Sequence, residues 1–447
     1  VSEQPSRELA RYVVEARFED IPMPVIDEAK RSLLNWVGCA LGGAHHETMD
    51  RAIEALVEFS GPPVAHVLGR GERFDVLHAA LLNGMSSHVL DFDDTHLETI
   101  IHPTGPVAPA LFALSERAPV TGREFLLALV LGIETECRIG KAVYPSHYDK
   151  GYHITGTTGV FGAAVAAGKL LGLDAQQLNW ALGIASTQAG GLREMFGTMC
   201  KPFHPGRASQ NGLTAAFLAA RGFTSSEASI EAPRGFANVL SDNYDLTPLT
   251  EALGESYEVM RNSYKPFACG VVIHPAIDAC IRLRRDHAIA PADIERVELS
   301  VHPLVLELTG KTSPSTGLEG KFSVFHSAAI ALIRGVAGAS EYTDEVVASA
   351  EVTALRDRVS ATVEEGIGED ACRLAITLRD GRVFETRVDH AIGSLECPMT
   401  NDELESKFRD QANGVPTRAS ADDLIRMCWE IDRSDDAAAL ARGAATA

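Results

Sequence analysis

From residue 7 to about residue 257, apolar side chains return every three or four positions, the spacing that gathers them on one face of an α-helix. Segment 26–37 is typical: Ile26, Ala29, Leu33, Trp36 and Val37 share a face, while charges such as Asp27, Glu28 and Arg31 fall opposite. Further helices are expected at 75–89, 105–118, 122–142, 157–171, 175–187 and 208–221, with Asp174 as the N-cap of the helix at 175–187. Each apolar stripe needs a covering partner, so these helices should pack on one another. Past Tyr264-Lys265-Pro266 the period drops to two, with Val297, Leu299 and Val301 alternating with Glu298, Ser300 and His302, as in a half-buried strand. Leu374, Ile376 and Leu378 lead through Asp380-Gly381 into Phe384, Thr386 and Val388, a hairpin signature. Helical spacing reappears at 322–334 and 344–355, and again at 401–411 and 420–430. The expected fold is mainly α. An all-helical bundle domain formed by residues 1–265 and 396–447 is interrupted by a smaller α+β lid domain at 266–395. The alanine-rich tail after Asp436 is expected to fray.

At 447 residues the chain exceeds what one core usually organises, and 45% hydrophobic with 23% charged residues is a globular composition. Forty basic against 61 acidic side chains give a formal charge of −21, which opposes binding to nucleic acid or to anionic lipid. The longest apolar stretches, such as 125–133, are about half the roughly 20 residues of a membrane span, so no membrane association is expected. Residues 1–6 include Glu3 and Pro5 and do not resemble a secretion signal. Eight scattered cysteines without a C-x-x-C pair read as reduced thiols, which places the protein in the cytoplasm.

Three clusters carry candidate chemistry. The first runs from His88 through Asp91, Asp93, Asp94, Thr95 and His96 to His102. It lacks the spacing of a zincin or a calcium loop, so no metal is expected, and helix capping by Asp91, Asp93 and Thr95 is the plain alternative. The second, 150–159, contains His153 among glycines. No strand precedes these glycines and no P-loop lysine follows in register, so close helix packing explains them better than a nucleotide, while His153 can act as acid or base. The third packs Lys201, His204 and Arg207 into seven residues at the expected entrance of a helix, an arrangement suited to carboxylates. Tyr264 and Lys265 lie at the domain junction, where ligands commonly bind. No nucleophile elbow or cysteine signature supports covalent catalysis.

Leu90-Asp91-Phe92-Asp93-Asp94-Thr95, His102-Pro103-Thr104, Gly151-Tyr152-His153, Lys201-Pro202-Phe203-His204-Pro205-Gly206-Arg207 and Tyr264-Lys265-Pro266-Phe267, in this order, resemble the MmgE/PrpD family. Lys321-Phe322-Ser323, Cys397-Pro398-Met399-Thr400 and Lys407-Phe408 extend the likeness over nearly the whole chain. The resemblance implies a helical domain interrupted by an α+β lid, a homodimer, no cofactor or metal, and activity as 2-methylcitrate dehydratase, cis-aconitate decarboxylase or iminodisuccinate epimerase. It implies a catalytic set of Asp91, Thr95, His102, His153, Lys201 and Lys265. The stretch 96–109 resembles the MmgE-like branch more than the PrpD-like one.

The expectation is a cofactor-independent lyase, 2-methylcitrate dehydratase-like, acting on a small di- or tricarboxylate, with decarboxylase-like and epimerase-like activities as alternatives. Lys201, Lys265 and Arg207 would bind carboxylates, with His204 and Tyr264 beside them, and His102 or His153 would move the proton. Asp91 would orient or charge a histidine, and Thr95 would position a carboxylate. A noncatalytic polycarboxylate-binding protein is the alternative of another class.

Overall fold

The computed structural model describes residues 4–446 and is mainly α, with a small sheet-containing part. Two large apolar cores divide it. One joins helices of the N-terminal half to Met399, Leu404, Phe408 and Leu424 near the other end of the chain, and the second is built from residues between Phe267 and Ala391 together with Val89, Leu90 and Phe92. The long helix Met23–Gly43 buries Leu33, Trp36 and Val37, and helix Asn401–Ala412 lies so close that a Cβ on Gly38 would meet Phe408 at 3.1 Å. That contact brings the end of the sequence back onto its beginning.

Helices Val76–His88, Gly122–Val143 and Ala175–Ser186 form where periodicity expects them, the last with Asp174 accepting from the Gln177 amide at 2.8 Å. Thr104–Ser115 is buried on every side, as are residues 154–168 of helix Ile154–Leu170, so small residues replace an amphipathic stripe. A Cβ on Gly162 would lie 2.9 Å from the Gly132 carbonyl, so this glycine serves close helix packing.

Three sequence expectations need correction. The helix expected from residue 208 begins at Cys200, because Pro202 falls in the first turn, where no amide partner is required, and Pro205 removes only one ladder bond. The alanine-rich tail does not fray. Helix Ala438–Ala444 buries Leu440, Ala441 and Ala444, and the backbone beside it bonds to Gly69, Arg70 and Arg418. Finally, 344–355 breaks into Asp344–Val347 and Ala350–Arg356, the second capped by Ser349, and leads into an unanticipated strand, Val359–Val363.

That strand pairs in parallel with Ile294–Val301, which pairs antiparallel with Cys372–Leu378, and the predicted hairpin adds Val383–Val388 at the far edge. Val297, Leu299, Leu374 and Ile376 face the second core, under helices His274–Asp286 and Val324–Arg334, while Glu298, Ser360, Arg373 and Glu385 are exposed. Among the described residues no helix is long and apolar enough to cross a membrane. All eight cysteines are free thiols.

Candidate active site

The loop joining Val76–His88 to Thr104–Ser115 carries Asp91, Asp93, Asp94, Thr95 and His102, all buried. Within it Thr95–His96 pairs antiparallel with Asn262–Ser263, which delivers Lys265 to Asp91 across 174 residues of sequence. Asp91 adopts φ 51°, a left-handed conformation that aspartate tolerates better than most residues. Lys201 stands in the first turn of helix Cys200–Ala219, and His153 is the N-cap residue of Ile154–Leu170. His102 lies just ahead of the Thr104–Ser115 helix, so three helix N-termini, each an end with positive character, meet at one cleft.

The cleft lies between the two cores, with Asp91, His102, His153, Lys201 and Lys265 in its wall and Val271, Val272 and Phe322 closing it from the lid side. Asp91 Oδ1 accepts from Lys265 Nζ at 2.8 Å and from Lys201 Nζ at 2.9 Å. Burial alone would raise this carboxyl, but the two ammonium groups outweigh it and hold Asp91 well below the usual carboxylate range. Burial lowers Lys201, against the pull of Asp91, and its Nζ also sits 5.1 Å from the ring centre of Phe196 and 5.0 Å from that of Phe322. Two ammonium groups on one carboxylate leave a net positive charge for an incoming anion.

The His102 ring is fixed by the loop that carries it. Its Nδ1–H donates to the Asp94 carbonyl at 2.8 Å, so in the neutral ring Nε2 is the free acceptor, 4.0 Å from Asp91 Oδ1. His153 and His204 share a hydrogen between their Nδ1 atoms at 2.8 Å, and burial, then His204, keeps His153 well below the ordinary imidazole range. Burial lowers His204 to about 4 as well. Behind them His88 donates from Nδ1 to Asp93 at 2.8 Å and packs on His102 with ring centres 4.7 Å apart. Burial lowers His88 to about 4 and raises Asp94 to about 6.

Asp91, His102, His153, Lys201 and Lys265 therefore converge from four stretches of chain. Thr95 reaches the cleft only through His102, with Oγ1 3.4 Å from its Nδ1, and His204 only through His153. Tyr264 points away, as a neighbour of Lys265 in extended chain must, and its hydroxyl meets Ser32 at 3.0 Å and Glu28. Arg207 is exposed and bonds to Gln210 two turns along the helix from Cys200, so the structure removes it from the cationic wall. None of Asp91, Asp93 and Thr95 caps a helix.

Residue-by-residue reasoning singled out neither Lys321 nor Lys407. Lys321 donates to the carbonyls of Leu90 and Ala268 at 2.7 Å each, and Lys407 to Phe92 O at 2.6 Å and Asn35 Oδ1 at 2.7 Å. With Lys265 on Asp91 O at 3.1 Å, three successive carbonyls from Leu90 to Phe92 are held by lysines from distant segments, and His102 of the same loop holds that of Asp94. Burial lowers both Lys321 and Lys407 to about 8.

His88, Asp91, Asp93 and His102 offer ligand atoms within 4.8 Å of one another, the geometry of a cation site. Two ammonium groups lie against Asp91, and they would repel such an ion.

The MmgE/PrpD N-terminal domain matches residues 7–249 and the MmgE/PrpD C-terminal domain residues 267–431. The chain belongs to the MmgE/PrpD family. It is 29% identical to a cis-aconitate decarboxylase of Aspergillus terreus (strain NIH 2624 / FGSC A1156) over 462 residues, covering 96% of this chain and 93% of the relative. Identity to the cis-aconitate decarboxylase of Homo sapiens is 28%, covering 93% and 89%. A 2-methylcitrate dehydratase of Escherichia coli (strain K12) is 25% identical, covering 88% and 87%. The names of these MmgE/PrpD relatives are those of lyases.

Proposed function

We propose that this MmgE/PrpD protein is a lyase acting on a small di- or tricarboxylate by proton transfer at a carbon next to a carboxylate, in the manner of a 2-methylcitrate dehydratase. The observation that carries the reading is the pair of buried ammonium groups, Lys201 and Lys265, in a cleft that also holds the free Nε2 of His102. A carboxylate seated at the lysines has its developing enediolate charge stabilised by them, in a site from which most water is excluded. His102 Nε2 takes the α-proton. The C–O bond on the neighbouring carbon then breaks, the C–H electron pair becomes the double bond, and the hydroxyl leaves as water with the proton carried by the imidazolium. Neutral His153, fixed by His204, orients the departing hydroxyl. Asp91 keeps both ammonium groups in place.

Decarboxylation is the second reading, supported by the higher identity to the decarboxylases than to the dehydratases. There carbon dioxide departs and an imidazolium returns a proton to the carbon. The family resemblance further supports a homodimer, tested by light scattering.

Incubation with 2-methylcitrate, citrate, cis-aconitate and iminodisuccinate, with products identified by NMR and carbon dioxide trapped, tests the proposal. Elimination supports dehydration, gas release the second reading, and inversion without loss an epimerase. No change in any of these acids would overturn their assignment as substrates and favour a binding protein. His102→Ala should lower the rate about a hundredfold or more.

A further inference from the structure

The catalytic cleft has a volume of only about 30 Å³, room for roughly two water molecules. A second cavity of about 300 Å³ adjoins it. The two share Ile100, Val271 and Val272, so whatever is attached to a carboxylate seated at Lys201 and Lys265 and extends toward that wall meets the larger space. Ile100 sits at φ 59°, a conformation that a β-branched residue rarely adopts and that structures retain where a side chain has a position to keep.

The larger cavity differs from the cleft in kind. Leu97, Pro275, Ile392 and Leu395 line it, and among the described residues no lysine or arginine does. Its titratable nitrogen, on His274, is kept neutral by burial, which lowers that ring to about 3. Its acids are Glu98, Glu369, Asp370 and Glu396. Glu98 is paired with Arg261 and Lys141, and His390 serves both Asp370 and Glu396. Glu369 has no ion pair among the described residues. A further carboxylate placed in this cavity would find no cation in its wall and carboxylates at its edge, whereas an uncharged hydrocarbon group would find contact on several sides.

We infer that the substrate carries an uncharged alkyl branch of several carbons, which passes between Ile100, Val271 and Val272 into the larger cavity while its carboxylates remain at the lysines. The inference rests on the proposal that Lys201 and Lys265 receive a substrate carboxylate, and it narrows the substrate to an alkyl-substituted acid. Seating the head requires the lid-borne Val271 and Val272 to give way, and the branch then replaces their contact with Ile100.

The test is calorimetric titration of the intact protein with succinate, methylsuccinate, butylsuccinate and hexylsuccinate, and with tricarballylate as the acid bearing a third carboxylate. Binding should tighten by about fourfold for each added methylene up to the length that fills the cavity, and tricarballylate should bind no better than methylsuccinate. Leu395 is 43% exposed, so Leu395→Asp should fold. It should abolish the gain with chain length and leave succinate affinity within twofold. A flat or falling series alongside measurable succinate binding would overturn the alkyl branch alone. Failure of every acid to bind, or equal binding by Lys201→Ala, would overturn the carboxylate reading and the inference with it.

Discussion

Replacing Asp91 by asparagine keeps the shape of the side chain and removes the one charge that two buried ammonium groups share. Lys265 lies 2.8 Å and Lys201 2.9 Å from the same oxygen, and both lysines are less than a tenth exposed. Removing one member of a buried ion pair costs about 3–5 kcal/mol, a large part of the roughly 5–15 kcal/mol that a folded domain has to spare. The pH dependence has a definite sign. Burial already lowers Lys201, and Asp91 is the strongest influence opposing that. In the variant its folded-state pKa therefore falls further below its unfolded one. Such a lysine costs stability in full at low pH, and the cost fades as pH rises from the folded toward the unfolded value. Urea denaturation followed by circular dichroism should show Asp91→Asn losing about 3–5 kcal/mol at pH 7 and clearly less at pH 9.5. Adding Lys201→Met removes one stranded charge and should restore about 2 kcal/mol or more. A single variant within about 1 kcal/mol of the parent at pH 7, or strict additivity in the double variant, would refute the shared-carboxylate account.

Lys407→Met removes the bonds to Phe92 O and Asn35 Oδ1 across the join between the chain's two ends. It should cost about 1–3 kcal/mol by the same denaturation, with helix content retained. Six buried histidines have lowered pKa values: His88, His147, His204 and His326 near 4, His274 near 3, and His153 well below the ordinary range, in each case chiefly through burial. The unfolded chain binds their protons below about 6.5 and the folded chain does not, so stability should fall from pH 6.5 to 4, by about 3 kcal/mol per residue whose pKa drops to about 4. Asp94, raised to about 6, and Glu28, Glu134 and Glu136, which burial also raises, work in the opposite sense, but they are four groups against six. Proton uptake on unfolding at pH 5, measured in buffers of different ionisation heat, should be positive, and net release would contradict the assignment. Exhaustive chelation should leave activity unchanged, because the two ammonium groups against Asp91 would repel a metal ion; activity lost on chelation and restored by a divalent ion would reverse that conclusion.

The helices and the hairpin were legible because their periodicities are local. Asp174, the stripe of 26–37 and Asp380-Gly381 each act within a few residues, and each appears where expected. Reading failed where tertiary contact outranked local preference. The run Pro202 to Pro205 reads as a stiff turn but lies within a helix whose first turn needs no amide donors. The tail is weakly patterned, yet its alanines dock closely against the segments around Gly69 and Arg418. Strand Val359–Val363 owes its place to a parallel partner, Val297 to Val301, far upstream in the sequence. In the site, His102, His153, Lys201 and Lys265 stood out as polar groups beside glycines and prolines and Asp91 as part of a cluster of acids and histidines, and they do meet. Arg207 stood out for the same reason and does not, because its place on the helix turns it outward. Composition and spacing give residue types along a line, and only the fold decides which of them share a face. The supporting lysines, 321 and 407, lay hidden because their partners are main-chain carbonyls, which leave no mark in sequence.

The account depends on a carbon–hydrogen bond beside a bound carboxylate becoming labile in this cleft. Incubating the protein in deuterium oxide with the acid it binds best, and following the α-hydrogens of unreacted material by proton NMR, measures that lability before any later step. Selective loss of one α-hydrogen signal, slowed a hundredfold or more in His102→Ala and in Lys201→Ala, is the expected result. Exchange no faster than in buffer, or exchange that persists undiminished in both variants, would contradict it.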